Sequence, residues 1–176
     1  ITLRHPRFAD VRAIAAALGE VTGAKLGYLP EGANAASAAL SAVLPHLGPG
    51  GQVATTVGLN ASEMLTDPRQ AYLVYGLEPE HDFSNATLVT QALTAADTVV
   101  CFSSYMTDAL LEYADVLLPI ATFAETAGTF INVEGVWQSF DAAAKVLGNA
   151  REGWRVLRVL GNELDLPACE YRTTAD

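Results

Sequence analysis

Three short runs in the second half of the chain, AYLVY at 71–75, TVVCF at 98–102 and DVLL at 115–118, are apolar almost without interruption. A strand with one wet face alternates apolar and polar residues. A strand covered on both faces reads as a continuous apolar run. Each run is followed by turn residues and then by a stretch with helical spacing. Strands that alternate with helices in this way form parallel sheets through crossover connections. The expected fold is α/β: a three-layer α/β/α sandwich with a mainly parallel, Rossmann-like, doubly wound sheet, in which the three runs are neighbouring strands. The 176 residues fit a single domain, 1–176.

The flanking segments carry their own signals. From Pro6 to Glu20, Phe8, Val11, Ile14, Ala15 and Leu18 fall on one helical face, and Gly23 stands where a helix stop is expected. AKLGYL, ending at Pro30, reads as a short strand. From about Asn34 an alanine-rich segment reads as a helix ended by Pro45 and the GPGG loop. Asn60 and Glu63 have capping-box spacing before a helix through Leu65. QAYLVYG reads as a buried strand, with Gly76 at the turn. EPEHDFS reads as a loop, and Asn85 as the cap of a helix through Ala95 that turns Leu88, Val89, Ala92 and Leu93 inward. TDALLEYA reads as a short helix. The last helix places Trp154, Leu157, Leu160 and Leu164 on one stripe.

Composition narrows the function classes. With 20 acidic residues against 10 basic ones the net charge is -10, and no basic cluster exists. Nucleic acid and anionic membrane surfaces are therefore excluded as natural partners. No apolar run reaches the roughly 18–20 residues of a membrane span, so direct membrane insertion is not expected. The start ITLRHPRFAD has neither a secretory signal pattern nor an initiator Met, and reads as an internal piece of a longer protein. Cys101 and Cys169 read as free thiols, with Cys101 a core residue, and no cysteine spacing matches a zinc or iron–sulfur set. His5, His46 and His81 read as solvated loop histidines and compose no triad. No catalytic residue and no metal ligand is assigned.

Ligands of parallel sheets bind beyond the carboxyl ends of the strands. Here those ends carry Gly76 and Glu78 after the first run, Ser103 and Ser104 after the second, and Pro119 after the third. Beyond Pro119 lie Glu125, Thr126, Gly128, Thr129, Asn132 and Glu134. Small residues there let backbone N–H groups approach a nucleotide or pterin phosphate. The same residues are what any strand-to-helix turn uses, and no complete phosphate-loop motif is present. Glu125 and Glu134 have the chemistry of an acid–base pair. They equally have the chemistry of hydrogen-bond anchors for a turn near Gly128, which is the preferred reading.

The stretch YADVLLPIATFAETAGTFINVEGVWQ resembles the signature of the molybdopterin oxidoreductase family, through Ala114, Asp115, Pro119, Glu125, Gly128, Thr129, Asn132, Glu134 and Gly135. LVYGLEPE and VVCFSSYMTDALLEYADVLLP resemble the strands and turns that approach the nucleotide part of the family's cofactor. The resemblance extends over about Gln70 to Leu166. LGEVTGAKLGYLPEGANAASAALSAVLPH and GLNASEMLTDPRQAYLVYGLEPEHD resemble one branch of that family, which supplies the large peripheral-arm subunit of bacterial NADH:quinone oxidoreductase, respiratory complex I.

The resemblance implies a fragment of a complex I subunit in the electron-transfer arm, cytoplasmic and membrane-associated through the parent complex, with the other arm subunits as partners. It implies iron–sulfur clusters in an N-terminal region that this chain does not contain. It also implies a domain that has lost the molybdenum cofactor. Cofactor-binding members read glycine-arginine-valine-glutamine where this chain reads Gly135-Val136-Trp137-Gln138, so the cation that would hold phosphate is replaced by Val136. The expected function is thus a non-catalytic structural and interaction domain. The alternative is a functional molybdopterin guanine dinucleotide-binding domain of a formate dehydrogenase-like oxidoreductase. On the preferred reading Gly76, Glu78, Ser103, Ser104, Pro119, Glu125, Gly128, Thr129 and Asn132 are a vestigial pocket. Within it, Glu125, Thr129 and Asn132 would satisfy backbone groups at the sheet's carboxyl edge.

Overall fold

The computed structural model describes residues 7–27, 29–30 and 32–174. His5, Arg4 and the Pro6 start of the first helix lie outside them. The three apolar runs form β1 (Ala71–Tyr75), β2 (Thr98–Ser103) and β3 (Val116–Pro119), all parallel and in the order β1-β2-β3. The register aligns Val74 with Cys101 and Leu117 on one face of the sheet. It aligns Tyr75 with Phe102 and Leu118 on the other.

The first face is the core. Above it pack α3 (Ala61–Thr66), α5 (Ala86–Thr94) and α6 (Asp108–Tyr113), which contribute Leu65, Val89, Ala92, Leu93, Leu110 and Tyr113. Local chemistry starts each of these helices. Asn60 and Glu63 form the reciprocal capping box expected of them. Asn85 Oδ1 accepts the N–H of Leu88, and Thr107 Oγ1 accepts that of Leu110. Asp115, between α6 and β3, accepts the N–H of Val99 at 2.7 Å through Oδ2 and donates its own N–H to Val99 O, which locks β2 to β3.

The second face is covered only at its carboxyl end. Phe102 there is 1% exposed and packs against Tyr75, with ring centroids 5.6 Å apart. The Tyr75 hydroxyl reaches Gly153, the first residue of α7 (Gly153–Glu163), where an added Cβ would lie 1.9 Å from the phenol oxygen. Further back on this face Leu73 is 62% exposed and Val116 43%. The parallel α/β sheet stands as expected, while α7 supplies only part of a second helical layer. β1 is also less buried than its apolar run implies, because it is an edge strand and only Val74 in it is buried.

Several local expectations are corrected. No strand forms at 24–29 among the described residues; Leu26 and Leu29 are exposed, and no neighbouring strand supplies ladder bonds. The alanine-rich helix is only α2 (Ala35–Leu40). It stops at Ser41 and Ala42, the latter at φ 59, because Ser41 pairs with Pro49 and Leu47 with Val53 in a compact loop. EPEHDFS contains the four-residue α4 (Pro79–Asp82), with Pro79 pre-setting its first turn and Asp82 Oδ2 accepting the N–H of Glu78.

The first helix, α1 (Phe8–Thr22), ends at Gly23 with φ 70 as expected, yet no residue of it is buried. On α7 the stripe is split: Trp154 and Leu160 are half-buried, whereas Leu157 and Leu164 are exposed. His46 and His81 lie outside the core, and Cys101 and Cys169 are free thiols with Cys101 buried.

Past Pro119 the chain leaves the sheet. A 3-10 turn (Phe123–Glu125) leads to an antiparallel hairpin of β4 (Gly128–Ile131) and β5 (Trp137–Phe140). Its tight turn includes Gly135 at φ 79, a conformation that disfavours a side chain.

Candidate functional site

The parallel order brings Gly76, Ser103, Ser104 and Pro119 to one carboxyl edge. Gly76, at φ 61, donates its N–H to Phe102 O. Ser103 is 7% exposed; its hydroxyl donates to Tyr105 O at 2.7 Å and accepts the Tyr105 N–H at 3.1 Å. Ser104 Oγ donates to Ala121 O at 3.3 Å. Together with Tyr105, Met106, Leu117 and Pro119 the two serines line a pocket of about 270 Å³. Glu78 stands apart at the start of α4, where its carbonyl accepts the N–H groups of His81 and Asp82.

Gly128 and Thr129 line a second pocket, of about 440 Å³, with Tyr75, Trp154 and Tyr171. Thr129 does not satisfy a backbone group as expected: its hydroxyl pairs across the hairpin with that of Ser139 at 2.9 Å, because strand alternation points both to one face. A smaller, largely apolar cavity of about 110 Å³ lies between α3, β1 and α5, away from every candidate residue. With no convergent polar groups, it is a packing space of the core.

Glu125 and Asn132 act on their own loops. Glu125 Oε2 accepts the Thr122 N–H at 2.9 Å and its hydroxyl at 3.0 Å, and Oε1 accepts the Leu147 N–H at 3.2 Å. The Thr122 N–H and hydroxyl, with the Leu147 N–H, outweigh desolvation and hold the carboxyl below the usual range. Asn132 Oδ1 accepts the N–H groups of Glu134 and Val136, both at 3.0 Å, and so shapes the hairpin turn. Glu134 contributes its backbone to that turn, and among the described residues no bond joins its side chain to Glu125.

Other positions gain a role only in the fold. Thr122 and Glu125 form a capping box, and their spacing is the local signal that marks it. Glu152 Oε1 accepts the Ala127 N–H at 3.4 Å and Oε2 that of Arg155 Nε at 2.6 Å. Burial pushes the Glu152 carboxyl up, but Arg155, Ala127 and Trp154 together leave it below its ordinary value. The indole N–H of Trp154 is buried without a well-formed hydrogen bond, while its ring carries Arg155 at 4.5 Å and stacks beside Tyr171 at 5.9 Å. No spacing signal marks Glu152, because its partner Ala127 lies far away in sequence.

Cations matter at any phosphate site. No Lys or Arg lies between Arg69 and Lys145. Arg151, however, runs beside the end of β3: its N–H donates to Pro119 O at 3.3 Å, and its guanidinium donates to Ala150 O at 2.7 Å. Among the described residues no three His, Cys, Asp or Glu side chains are grouped to hold a metal ion.

A family model described as molybdopterin oxidoreductase matches residues 6–163. The large G-type chain of the NADH-quinone oxidoreductase of Mycobacterium bovis is 30% identical over 85% of this chain and 22% of its own length. Its counterpart in Streptomyces coelicolor is 32% identical over 87% of this chain and 21% of its own. The chain thus spans about a fifth of these relatives. Among solved structures, acetylene hydratase from Pelobacter acetylenicus superposes with a TM-score of 0.54 over 72% of this chain and 18% of that one, at 19% identity, which bears on the fold alone.

Proposed function

This chain belongs to the molybdopterin oxidoreductase family, and from that premise we propose that it is a non-catalytic structural and interaction domain of a larger subunit, the large peripheral-arm subunit of an NADH:quinone oxidoreductase. One observation carries the reading. The polar side chains of the signature stretch are engaged by the protein's own groups: Glu125 by Thr122 and Leu147, Asn132 by Glu134 and Val136, Thr129 by Ser139. Ser103 at the sheet edge is likewise held by Tyr105. A dinucleotide would have to displace these bonds before forming its own. Val136 and Trp137, in place of a cation and its neighbour, offer a phosphate nothing. The residues present do not compose a pyrophosphate site, and no chemical step is assigned to them.

On this reading residues 1–176 are one unit of the longer subunit, and its partners are the other subunits of the peripheral arm. The iron–sulfur clusters of the parent lie elsewhere in that subunit. The unit is cytoplasmic and associates with the membrane through the complex; no helix among the described residues is long and apolar enough to cross a bilayer.

A specific observation favours a second reading, a functional cofactor-binding domain like that of formate dehydrogenases. Arg151 lies next to Pro119 at the edge where a phosphate would dock, and its guanidinium donates to a neighbouring carbonyl and forms no ion pair among the described residues. Molybdenum and phosphorus analysis of the full-length protein purified from its own host decides between the two. The structural reading expects neither element in stoichiometric amount. Calorimetry with GDP provides the second arm: low-micromolar binding that is lost in Ser103→Ala or Arg151→Ala would establish the cofactor site instead.

A further inference from the structure

The hairpin and the turn before it build a surface on the far side of the vestigial pocket residues. Phe140 lies over Gly128, where an added Cβ would stand 3.0 Å from the ring. Phe130 meets the same ring edge to face, with centroids 4.9 Å apart and planes at 80°. Phe123, in the 3-10 turn, is 91% exposed and forms another wall. Ala143 donates its N–H to Ala124 O at 2.9 Å, which ties the rim to that turn. The result is a groove of about 320 Å³ lined by Phe123, Ala124, Phe130, Phe140, Asp141 and Ala143, with Asp141 its one charged residue. Among the described residues, Lys145, four residues on, makes no ion pair with Asp141.

We propose that this groove docks a cationic segment of a protein partner, taking an Arg or Lys side chain between the phenylalanine rings with its charge toward Asp141. Three aromatic walls and a carboxylate are the complement of that side chain. The rings pack along the apolar stem and attract the cation through their π faces, and the carboxylate supplies the ionic partner. The charge of the region points the same way. From residue 70 to 144 the chain has no Lys or Arg, while Glu125, Glu134 and Asp141 all lie in the hairpin and its flanks. An acidic partner would be repelled, and a neutral apolar one would leave Asp141 facing it without a counter-ion. A 91% exposed phenylalanine in a firmly hydrogen-bonded turn is what an interface anchor looks like before its partner arrives.

The groove deepens the interaction-domain reading and rests on it, and its test is independent of the cofactor measurements. Fluorescein-labelled peptides of alternating Leu-Arg and alternating Leu-Glu are titrated against the full-length protein, with anisotropy as the readout. The Leu-Arg peptide should bind at least tenfold more tightly than Leu-Glu. Its affinity should fall at least tenfold in Asp141→Lys and in Phe123→Ser, a solvent-exposed position whose replacement leaves the fold intact by circular dichroism. Equal binding of both peptides, or an affinity unchanged by Phe123→Ser, overturns the proposal. So does a groove already covered by the rest of the long polypeptide, recorded as no peptide binding together with shielded emission from a Phe123→Trp variant.

Discussion

Asn34 Oδ1 accepts the backbone N–H of Ile131 at 2.9 Å, across a separation of 97 residues. Asn34 stands where a side-chain cap of α2 would be expected, yet it makes no cap bond and instead reaches the hairpin. Ile131 is 3% exposed, so this N–H has little access to water. Asn34→Ala should destabilise the chain by about 1–3 kcal/mol, the cost of an orphaned buried donor. Asn34→Asp, which keeps the acceptor, should retain most of that stability. Urea unfolding of the two variants checks it.

The two faces of the sheet should respond differently to truncation. Leu110 is 1% exposed beneath the Thr107 cap, and Leu110→Ala should cost about 2–5 kcal/mol. Leu73→Ala, at 62% exposure, should change stability by only about 0.5 kcal/mol. A Leu73→Ala loss above about 2 kcal/mol in the full-length protein would mark that face as covered by residues outside 1–176.

Glu125 makes stability depend on acidity. Its carboxyl is held below the ordinary value by the Thr122 backbone N–H, the Thr122 hydroxyl and the Leu147 N–H. Its contribution is therefore complete above the unfolded-state pKa, about 4.3. It is lost as pH falls through the lower folded value. The melting temperatures of the native chain and of Glu125→Gln should differ most near neutrality and converge below about pH 4. Parallel curves from pH 7 to 3 would contradict this.

The two thiols should be easy to tell apart. Cys101 is 1% exposed, and burial raises its pKa, whereas Cys169 is half-buried against Gly161, where an added Cβ would stand 2.4 Å from Sγ. A thiol reagent should modify Cys169 on the order of a hundredfold faster than Cys101, since only the latter requires opening of the core. Gly161→Ala should displace the sulfur and speed modification of Cys169 further.

What the sequence disclosed follows from where its signals originate. β1, β2 and β3 were legible because an apolar run between turn residues records burial directly. The caps at Asn60, Asn85 and Gly23 were legible because capping is local chemistry. The 24–29 run failed as a strand because a strand needs a neighbour, which no local pattern specifies. The stripe on α7 was legible as a helix but not as a packing face, since Leu157 and Leu164 remain exposed. For the candidate residues, types and positions were readable while partners were not. Asn132 and Glu125 satisfy backbone groups, as expected, but Thr129 finds Ser139, and Glu152 and Asn34 gain their roles only through contacts distant in sequence.

The sheet's order, β1-β2-β3, is also the order of translation. Each strand leaves the ribosome with its neighbour already made, and no later segment has to insert between two earlier ones. Short crossovers keep the closure entropy of these pairings small, whereas the Asn34–Ile131 bond must await almost the whole chain. Assembly is therefore expected to be vectorial: pulse-labelled hydrogen exchange should protect the β1 and β2 amides first and Ile131 last, with the hairpin joining a sheet already formed.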